Sequence, residues 1–428
     1  MLRSMYSGIG GMKNFQTKLD VIGNNISNVN TFGFKKGRTT FKDLVSQQLT
    51  GASNPTENRG GTNPRQIGLG GTIASVDTIH TQGSLQTTGR ALDLGISGDG
   101  FFIVNNGNLS YYTRAGNFYL DREGTLVTAE GLKVQGFQPN ANGTGIDRNN
   151  FGQLKVQAGE VFAPQATNQM SLRGNLRAET PEGEEFDGTL ENYLPPNTVL
   201  NKFTATDSMG NLHDLQLAYY KSGDNEWTVT LLTPQFNDDG ELENYEVEEL
   251  GTVQFNSGGR VDMENSQLQR IVIDPQNGAE PVNIGINFSQ LTQFGNSSNS
   301  ADISAINGNV EGFLESFNIS QTGEINGVYT NGEVRILGQI AMATFNNTGG
   351  LMKSGDNLFQ VSNNSGVPNI GFAGDGRGMI AGATLEMSNV DLSEEFTEMI
   401  VAQRGFQANT RIITTSDEIL QELVNLKR

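Results

Sequence analysis

The chain has 428 residues and a net charge of −19, from 28 Lys and Arg against 47 Asp and Glu, so neither a nucleic acid nor an anionic membrane is expected as its main partner. It has no cysteine and only two histidines, which excludes disulfides and thiol nucleophiles and leaves little for a metal site. Its 54 glycines favour turn-rich β structure. No apolar run is long enough for a membrane span, so membrane insertion is not expected, and no cleaved signal peptide is predicted.

The first predicted element is a helix that begins near Leu2 and ends before Gly33. Apolar residues recur every seven positions along it, at Met5, Met12, Leu19 and Ile26, with Ile9 and Ile22 beside this row. A seven-residue period over about 28 residues is typical of packing between helices. Asn24 and Asn25 are unfavourable inside a helix, and termination of the helix is one role expected of them.

The middle of the chain is predicted to be β structure in nested segments. Residues 33–80 are marked by Gly, Asn and Pro, which predicts an extended connector. Two stretches with alternating apolar residues and frequent turns predict one discontinuous β domain, 81–174 plus 301–384. Residues 175–300 hold 21 acidic and 5 basic residues. They are predicted to form an acidic β domain inserted in the first one.

The last predicted element is a helix from Asp391 to Lys427, about 55 Å long. Its apolar residues also recur every seven positions, at Leu392, Met399, Phe406, Ile413 and Leu420, and Asp391 is placed to cap its first turn. Each terminal helix could pack on a globular core, but the strict period favours pairing of residues 1–32 with 385–428. The expected fold class is therefore α+β, with paired, coiled-coil-like terminal helices and nested, mostly-β domains.

Two segments approximate ligand-binding motifs but have simpler interpretations. Residues 235–246 approximate a calcium loop, yet Gln235 stands where the first acidic ligand belongs, so an acidic hairpin turn is preferred. Residues 95–100 are glycine-rich, but Phe101 and Phe102 begin a strand where a nucleotide-binding motif needs a helix. A tight turn is therefore expected there, and no cofactor or metal is predicted.

No group of residues in the sequence indicates catalysis. His80 lies in a β-like stretch and His213 follows a turn, and both are interpreted as structural or solvated. Trp227 lies among alternating residues and is expected in the core of the acidic domain. Since no phosphate-binding loop or nucleophile elbow is present either, the chain is not expected to be an enzyme.

Three segments carry a family resemblance. They are residues 19–36 (LDVIGNNISNVNTFGFKK), residues 82–102 (QGSLQTTGRALDLGISGDGFF) followed by 112–118 (YTRAGNF), and residues 385–392 (LEMSNVDL) with 403–409 (QRGFQAN). In this order they resemble the bacterial flagellar rod/hook axial protein family, and with the β segments between them they cover nearly the whole chain. Gly405 departs from the Ala of many members, which would cost about 1 kcal/mol in a helix unless close packing requires it.

The resemblance implies a structural subunit that assembles into a hollow helical tube. Residues 207–214 and 225–227 resemble the outer domain of hook-forming members, which implies a bendable tube that transmits torque from the rod to the filament. Residues 47–70 resemble the extra connector of distal rod proteins, so a distal rod protein is the alternative within the family. A secreted adhesin or binding module is the alternative from another class, although it would not explain the terminal helices.

The resemblance also implies where the chain assembles and with what. The expected self-assembly residues are Met5, Ile9, Met12, Leu19, Ile22, Asn24, Asn25, Ile26, Leu392, Met399, Arg404, Phe406, Asn409, Ile413, Leu420 and Leu423. Arg404 is either solvated or paired with a carboxylate of a neighbouring copy. The implied partners are further copies of the chain, the distal rod protein, the hook–filament junction proteins, the hook cap, the hook-length control protein and the flagellar export apparatus. The implied location is the flagellar hook and basal body, outside the cell after export through the flagellar channel.

Overall fold

A computed structural model describes residues 2–426 except 56–58, 141, 142, 144, 158, 160, 184–187, 189–196, 238–241, 276, 296 and 297. The chain divides into two compact units. The terminal unit comprises Met1–Ala158, Ser316–Gly327 and Val334–Arg428, and the insert unit comprises Gly159–Glu315 and Val328–Glu333. The four-part division from the sequence stays a prediction, and these units divide near residues 159 and 315 where it expected 175 and 300.

Both predicted terminal helices are present. Helix α1 spans Leu2–Ser27 and helix α2 spans Leu392–Asn425. The Asp391 carboxylate accepts hydrogen bonds from the backbone N–H groups of Ser393 (2.8 Å) and Glu394, which satisfies donors that a helix start leaves free. Helix α1 ends shortly before the expected position, because the side chain of Asn28 donates to the Asn24 carbonyl oxygen (2.9 Å) and competes with continued helix.

In the described part of the terminal unit, twelve strands follow α1. They are β1 (Gly37–Asp43), β2 (Ser46–Thr50), β3 (Arg65–Gly68), β4 (Gly71–Thr78), β5 (Leu85–Thr87), β6 (Leu94–Ser97), β7 (Phe101–Asn105), β8 (Ser110–Thr113), β9 (Tyr119–Leu120), β10 (Leu126–Val127), β11 (Lys133–Pro139) and β12 (Ile146–Gln153). In the range predicted as an extended connector, β1 pairs antiparallel with β4 and β2 with β3. Every residue of β2 and β3 is exposed.

Among the residues that the structure describes, ten strands lie wholly in the insert unit. They are β13 (Val161–Phe162), β14 (Gln169–Asn175), β15 (Val199–Thr206), β16 (Leu212–Gly223), β17 (Glu226–Phe236), β18 (Leu242–Gln254), β19 (Gln267–Leu268), β20 (Ile271–Ile273), β21 (Val282–Thr292) and β22 (Asp302–Ile306). Strands β15 to β19 form one antiparallel sheet in chain order, and a second sheet has the order β20-β21-β14-β22. Trp227 and Tyr219 are fully buried in the core of this unit, which confirms the expectation for Trp227.

The remaining strands bring the chain back to α2. They are β23 (Gly312–Ile319), β24 (Glu324–Tyr329), β25 (Val334–Ile340), β26 (Met342–Thr344), β27 (Met352–Lys353), β28 (Leu358–Gln360), β29 (Asn369–Gly371), β30 (Met379–Gly382) and β31 (Thr384–Glu386), with a short 3-10 helix at Thr348–Gly350. Strands β26 and β11 flank β7, and β28 flanks β8, so both passes of the chain build one sheet of the terminal unit. Strand β31 pairs with β5 and ends six residues before α2 begins.

Candidate assembly surface

The two terminal helices pack against each other in antiparallel orientation. Gly8 of α1 lies against Ile413 of α2, and Phe15 lies against Gly405. Near the other end of α1, Lys18 forms an ion pair with Glu398. Residue numbers that increase along α1 therefore face residue numbers that decrease along α2. The predicted pairing of the terminal helices is present within one chain.

Glycines allow the close approach of the two helices. A Cβ atom on Gly405 would lie 2.5 Å from the Phe15 ring, and one on Gly11 would lie 2.5 Å from the Asn409 side-chain oxygen. Both distances are far below van der Waals contact, so a larger residue at either position requires the Asn409 side chain or the Phe15 ring to move, or the helices to separate. Gly405, the departure noted in the sequence, is thus required by close packing.

A buried polar contact ties α1 to α2 and to β1. Asn25 is 2 % exposed, and its side-chain NH2 donates to the Glu395 carboxylate (3.1 Å) and to the Gly37 carbonyl oxygen (2.9 Å). Its side-chain oxygen accepts from the Gly37 backbone N–H (2.9 Å). Burial raises the pKa of the Glu395 carboxyl. Asn25 therefore forms contacts within the chain, whereas Asn24 is exposed.

The structure separates the predicted assembly residues by exposure. Half-buried residues of the helix pair are Met5, Ile9, Met12, Leu19, Ile26, Met399, Phe406, Asn409, Ile413 and Leu420, and Ile22 and Asn25 are buried. Exposed residues are Asn24, Leu392, Arg404 and Leu423. The seven-residue rows thus largely face the partner helix of the same chain. Whether they also contact other copies stays a prediction.

A second apolar surface of α2 has no cover within the helix pair. Its members share one side of the helix, are exposed by 43–82 %, and are Val401, Ile412, Ile419, Leu423 and Leu426, while Leu392, Phe396 and Ile400 are exposed on another side. Large exposed apolar patches on soluble proteins mark interaction sites. Sequence reasoning found only part of this surface, because it followed the row with the strictest period.

A buried charge cluster joins the segments that flank the two helices. Lys35, eight residues after α1, donates to the Glu386 carboxylate (2.6 Å), and Arg114 donates to the other oxygen of the same carboxylate (3.2 Å). The side chains of Lys35 and Glu386 are fully buried and that of Arg114 is 4 % exposed. Burial lowers the pKa of Lys35 and of Arg114, and Glu386 acts in the opposite direction on both. Buried charges of this kind must be paired.

Sequence reasoning assigned no role to this cluster, although all three residues lie in or beside the quoted family segments. Their positions are separated by up to 351 residues, so no local spacing links them. His80 lies beside the cluster, between the rings of Phe101 and Phe359. Burial, together with the nearby Lys35 and Arg114, lowers the pKa of His80 to about 4. His80 is therefore neutral at pH 7 and structural.

The remaining motifs are structural in the described residues. Strand β6 ends at Ser97 and β7 begins at Phe101, so the turn within the glycine-rich stretch 95–100 lies at residues 98–100, where Gly98 and Gly100 have φ of 101° and 140°. Gln235 donates to Glu246 (2.9 Å) across the β17–β18 pair, while residues 238–241 of the possible calcium loop lie outside the described part.

His213 contacts the buried Asp207 (3.2 Å). Burial opposes the charge of Asp207, but hydrogen bonds from Asn277, Asn211 and His213 hold the pKa of its carboxyl well below the usual range. Among the described residues, no cluster of acidic or histidine side chains could hold a metal ion. Neither described helix combines the length and the apolar character that a membrane span requires.

Four protein-family models match segments of the chain. Residues 5–35 match "Flagella basal body rod protein" and residues 95–173 match "Flagellar hook protein FlgE/F/G D1 domain". Residues 175–308 match "Flagellar basal body protein FlaE D2 domain" and residues 381–426 match "Flagellar basal body rod FlgEFG protein C-terminal". The matches follow the order of the three segments that carry the resemblance in the sequence.

Curated relatives match over the full length. The chain is 42% identical to the flagellar hook protein FlgE of Borreliella burgdorferi and 39% identical to that of Treponema pallidum, with 100% of each chain covered. It is 36% identical to the flagellar basal-body rod protein FlgG of Bacillus subtilis, again with 100% of both chains covered. The crystal structure of the Helicobacter pylori flagellar hook protein FlgE2 shares the fold, with a TM-score of 0.54 at 14% identity over 71% of this chain and 100% of that one. This chain therefore belongs to the flagellar hook protein family, within the wider group of flagellar rod and hook proteins.

Proposed function

We propose that this chain, a structural subunit of the flagellar hook, assembles through its terminal helices into a hollow, bendable tube that transmits torque from rod to filament. The assembly is a flagellar structural polymer formed by copies of the chain, and its location is the hook and basal body. No catalytic role is proposed. The finer proposals concern the surface that joins the copies and the proteins at the two ends of the tube.

The exposed apolar surface of α2 is the single observation that supports assembly through the helices. Val401, Ile412 and Ile419 are exposed by 54 %, 43 % and 47 % although they lie on a long, regular helix. Burial of apolar area contributes about 25 cal/mol per Å². A polymer that covers this surface in every copy gains that free energy at each contact. Head-to-tail contacts that do not close a ring then give an open filament.

The proposed partners follow from the position of a hook in the flagellum. They are the distal rod protein at one end, the hook–filament junction proteins and the hook cap at the other, the hook-length control protein and the export apparatus. The 36% identity to a basal-body rod protein keeps the distal rod as the alternative position in the same structure. The higher identities to hook proteins, 42% and 39%, do not favour it.

Electron microscopy of basal bodies from a strain that lacks this gene tests the proposal. A complete rod without a hook is the expected result. A truncated rod would move the chain to the distal rod, and intact curved hooks would contradict a structural role in either. As a matched control, a chain without residues 1–30 and 390–428 should not restore the hook in this strain, because it retains the β domains and lacks both terminal helices.

A further inference from the structure

The exposed side of α2 has an apolar stripe with charges along one edge. The stripe follows helical spacing and consists of Val401, Ala408, Ile412, Ile419, Leu423 and Leu426. Arg404, Arg411 and Glu418 follow each other at intervals of seven along its edge, and all three are exposed. None of these three side chains has an ionic partner among the described residues. An apolar stripe with flanking charges is the arrangement that selects the partner and the register in packed helices.

The exposed side of α1 carries the opposite charges at the same interval. Lys13 and Asp20 are seven residues apart, and both are exposed. In the part of the chain that the structure describes, neither side chain forms an ion pair. Tyr6, about two turns before Lys13 on the same side, is 69% exposed. The exposed sides of the two helices are thus complementary in charge and in spacing.

The pairing within one chain does not bring these charges together. Gly11 lies against Asn409 and Phe15 against Gly405, which places Lys13 level with about Gln407 of its own α2. Glu418 lies 11 residues further along α2, a displacement of about 16 Å at the helical rise. Lys13 and Glu418 of the same chain therefore cannot meet.

We propose that the exposed stripe of α2 packs on α1 of a second copy, antiparallel as within one chain but displaced by about 11 residues toward the C-terminal end of α2. In this register Glu418 pairs with Lys13 of the neighbouring copy and Arg411 pairs with its Asp20. The proposal rests on the proposed function, since it names the contact that joins neighbouring copies in the polymer.

Both charge and apolar cover select this register. Without displacement, Lys13 and Asp20 of a neighbour would face Gln407 and Ile400, which offer no opposite charge. A displacement smaller by seven residues would set Lys13 against Arg411, and this repulsion would offset the attraction between Asp20 and Arg404. In the proposed register Tyr6 of the neighbour lies level with Asn425, beside Leu423 and Leu426. Leu423 and Leu426 lie beyond the part of α2 that faces the start of the chain's own α1, and they are 48% and 82% exposed.

Site-directed cross-linking tests the register. Because the chain has no cysteine of its own, only the introduced cysteines can react. The chain with Lys13→Cys and Glu418→Cys is assembled into hooks and treated with a short bis-maleimide. We expect a ladder of covalently joined subunits on a denaturing gel. The control with Lys18→Cys and Glu398→Cys occupies an ion pair within one chain, so it should cross-link internally and give no ladder.

Three outcomes have different meanings. Hooks that assemble but give no ladder from positions 13 and 418 would overturn the register and leave the proposed function intact. A ladder from Arg404→Cys with Glu418→Cys in its place would show that α2 packs on α2 of the neighbour, which also overturns it. Failure of the unsubstituted chain to form any polymer would contradict the proposed function itself.

Charge reversal gives an independent test if the cysteine variants do not assemble. Lys13→Glu or Glu418→Lys alone places like charges together, and we expect about a tenfold rise in the subunit concentration needed for polymerisation. The double reversal should restore assembly, and high salt should weaken the effect of each single reversal. Equal defects in the single and double variants would overturn the pairing.

Discussion

At the residue scale, one glycine decides how closely the terminal helices approach each other. Gly405→Ala would place a Cβ atom 2.5 Å from the Phe15 ring, so we expect a net loss of about 1–3 kcal/mol in the free energy of unfolding. Gly23→Ala is the matched control, because nothing lies within 4 Å of its added Cβ and the helix should gain up to about 1 kcal/mol. Urea unfolding followed by circular dichroism measures both, and equal effects would contradict the close approach.

In the Lys35–Glu386–Arg114 cluster, replacing the one carboxylate with an amide is expected to lower the free energy of unfolding strongly. Among the described residues, Glu386→Gln removes the only carboxylate that forms an ion pair with these two buried cations, so the terminal unit should lose about 3–5 kcal/mol of stability. Glu179→Gln is the control, because it breaks the exposed ion pair with Arg177 and should change stability by less than about 1 kcal/mol. Similar unfolding midpoints for the two variants would show that the cluster does not stabilise the fold.

His80 predicts a pH dependence of stability. Its pKa is lowered from 6.5 to about 4 in the folded chain, so the unfolded chain binds the proton more tightly. Its contribution is fully present above pH 6.5 and is lost as the pH falls toward 4, by up to about 3 kcal/mol. The slope of unfolding free energy against pH in this window should become smaller in His80→Leu. An unchanged slope in His80→Leu would contradict the prediction.

At the element scale, the β2–β3 pair is separable from the rest of the terminal unit. All residues of both strands are exposed, and Leu44 donates its backbone N–H to the Gly70 carbonyl oxygen (2.7 Å) at the base of the pair. Replacing residues 46–68 with a short Gly-Ser linker should leave the melting temperature of the isolated chain within a few degrees of its original value. A large decrease would show that the pair stabilises the fold.

The β2–β3 pair and α2 share one property, which is that each leaves a surface exposed in a single chain. An isolated two-stranded hairpin is marginally stable in water. A long helix with exposed apolar residues becomes more stable when a partner covers those residues. Elements of this kind gain most when a neighbouring molecule covers them. The contacts that a polymer adds therefore fall on elements that one chain leaves incomplete.

At the scale of the whole molecule, the charge is divided very unevenly. The insert unit holds 26 acidic and 6 basic residues, so it carries a net charge of −20 and the terminal unit is close to neutral. A near-neutral unit permits close packing of many copies. Mutual repulsion keeps strongly acidic surfaces soluble and apart.

The insert unit is expected to fold by itself, because its two sheets enclose their own core around Trp227. A fragment of residues 159–333, in which residues 316–327 of the terminal unit serve as the link to Val328–Glu333, should unfold in one cooperative transition, with a blue-shifted Trp227 fluorescence that shifts to red on unfolding. The full chain serves as the control for the folded emission. A fragment with the emission of a solvated Trp would contradict an independent core.

The sequence by itself determined the elements whose information is local. Seven-residue apolar rows predicted both helices, Asp391 predicted the cap of α2, and alternating residues with turns predicted β structure between them. The acidic composition of residues 175–300 likewise marked most of the insert unit. In each of these, the side chains that decide the outcome lie within a few turns or one strand of each other.

Only the tertiary structure decided which distant residues meet. The antiparallel register of α1 and α2 depends on the contact between Gly405 and Phe15. The residue pattern of either helix alone does not predict that contact. The single carboxylate of Glu386 pairs with both Lys35 and Arg114, which lie 351 and 272 residues away. Burial makes these pairings obligatory, and burial is a property of the assembled fold that no local spacing reveals.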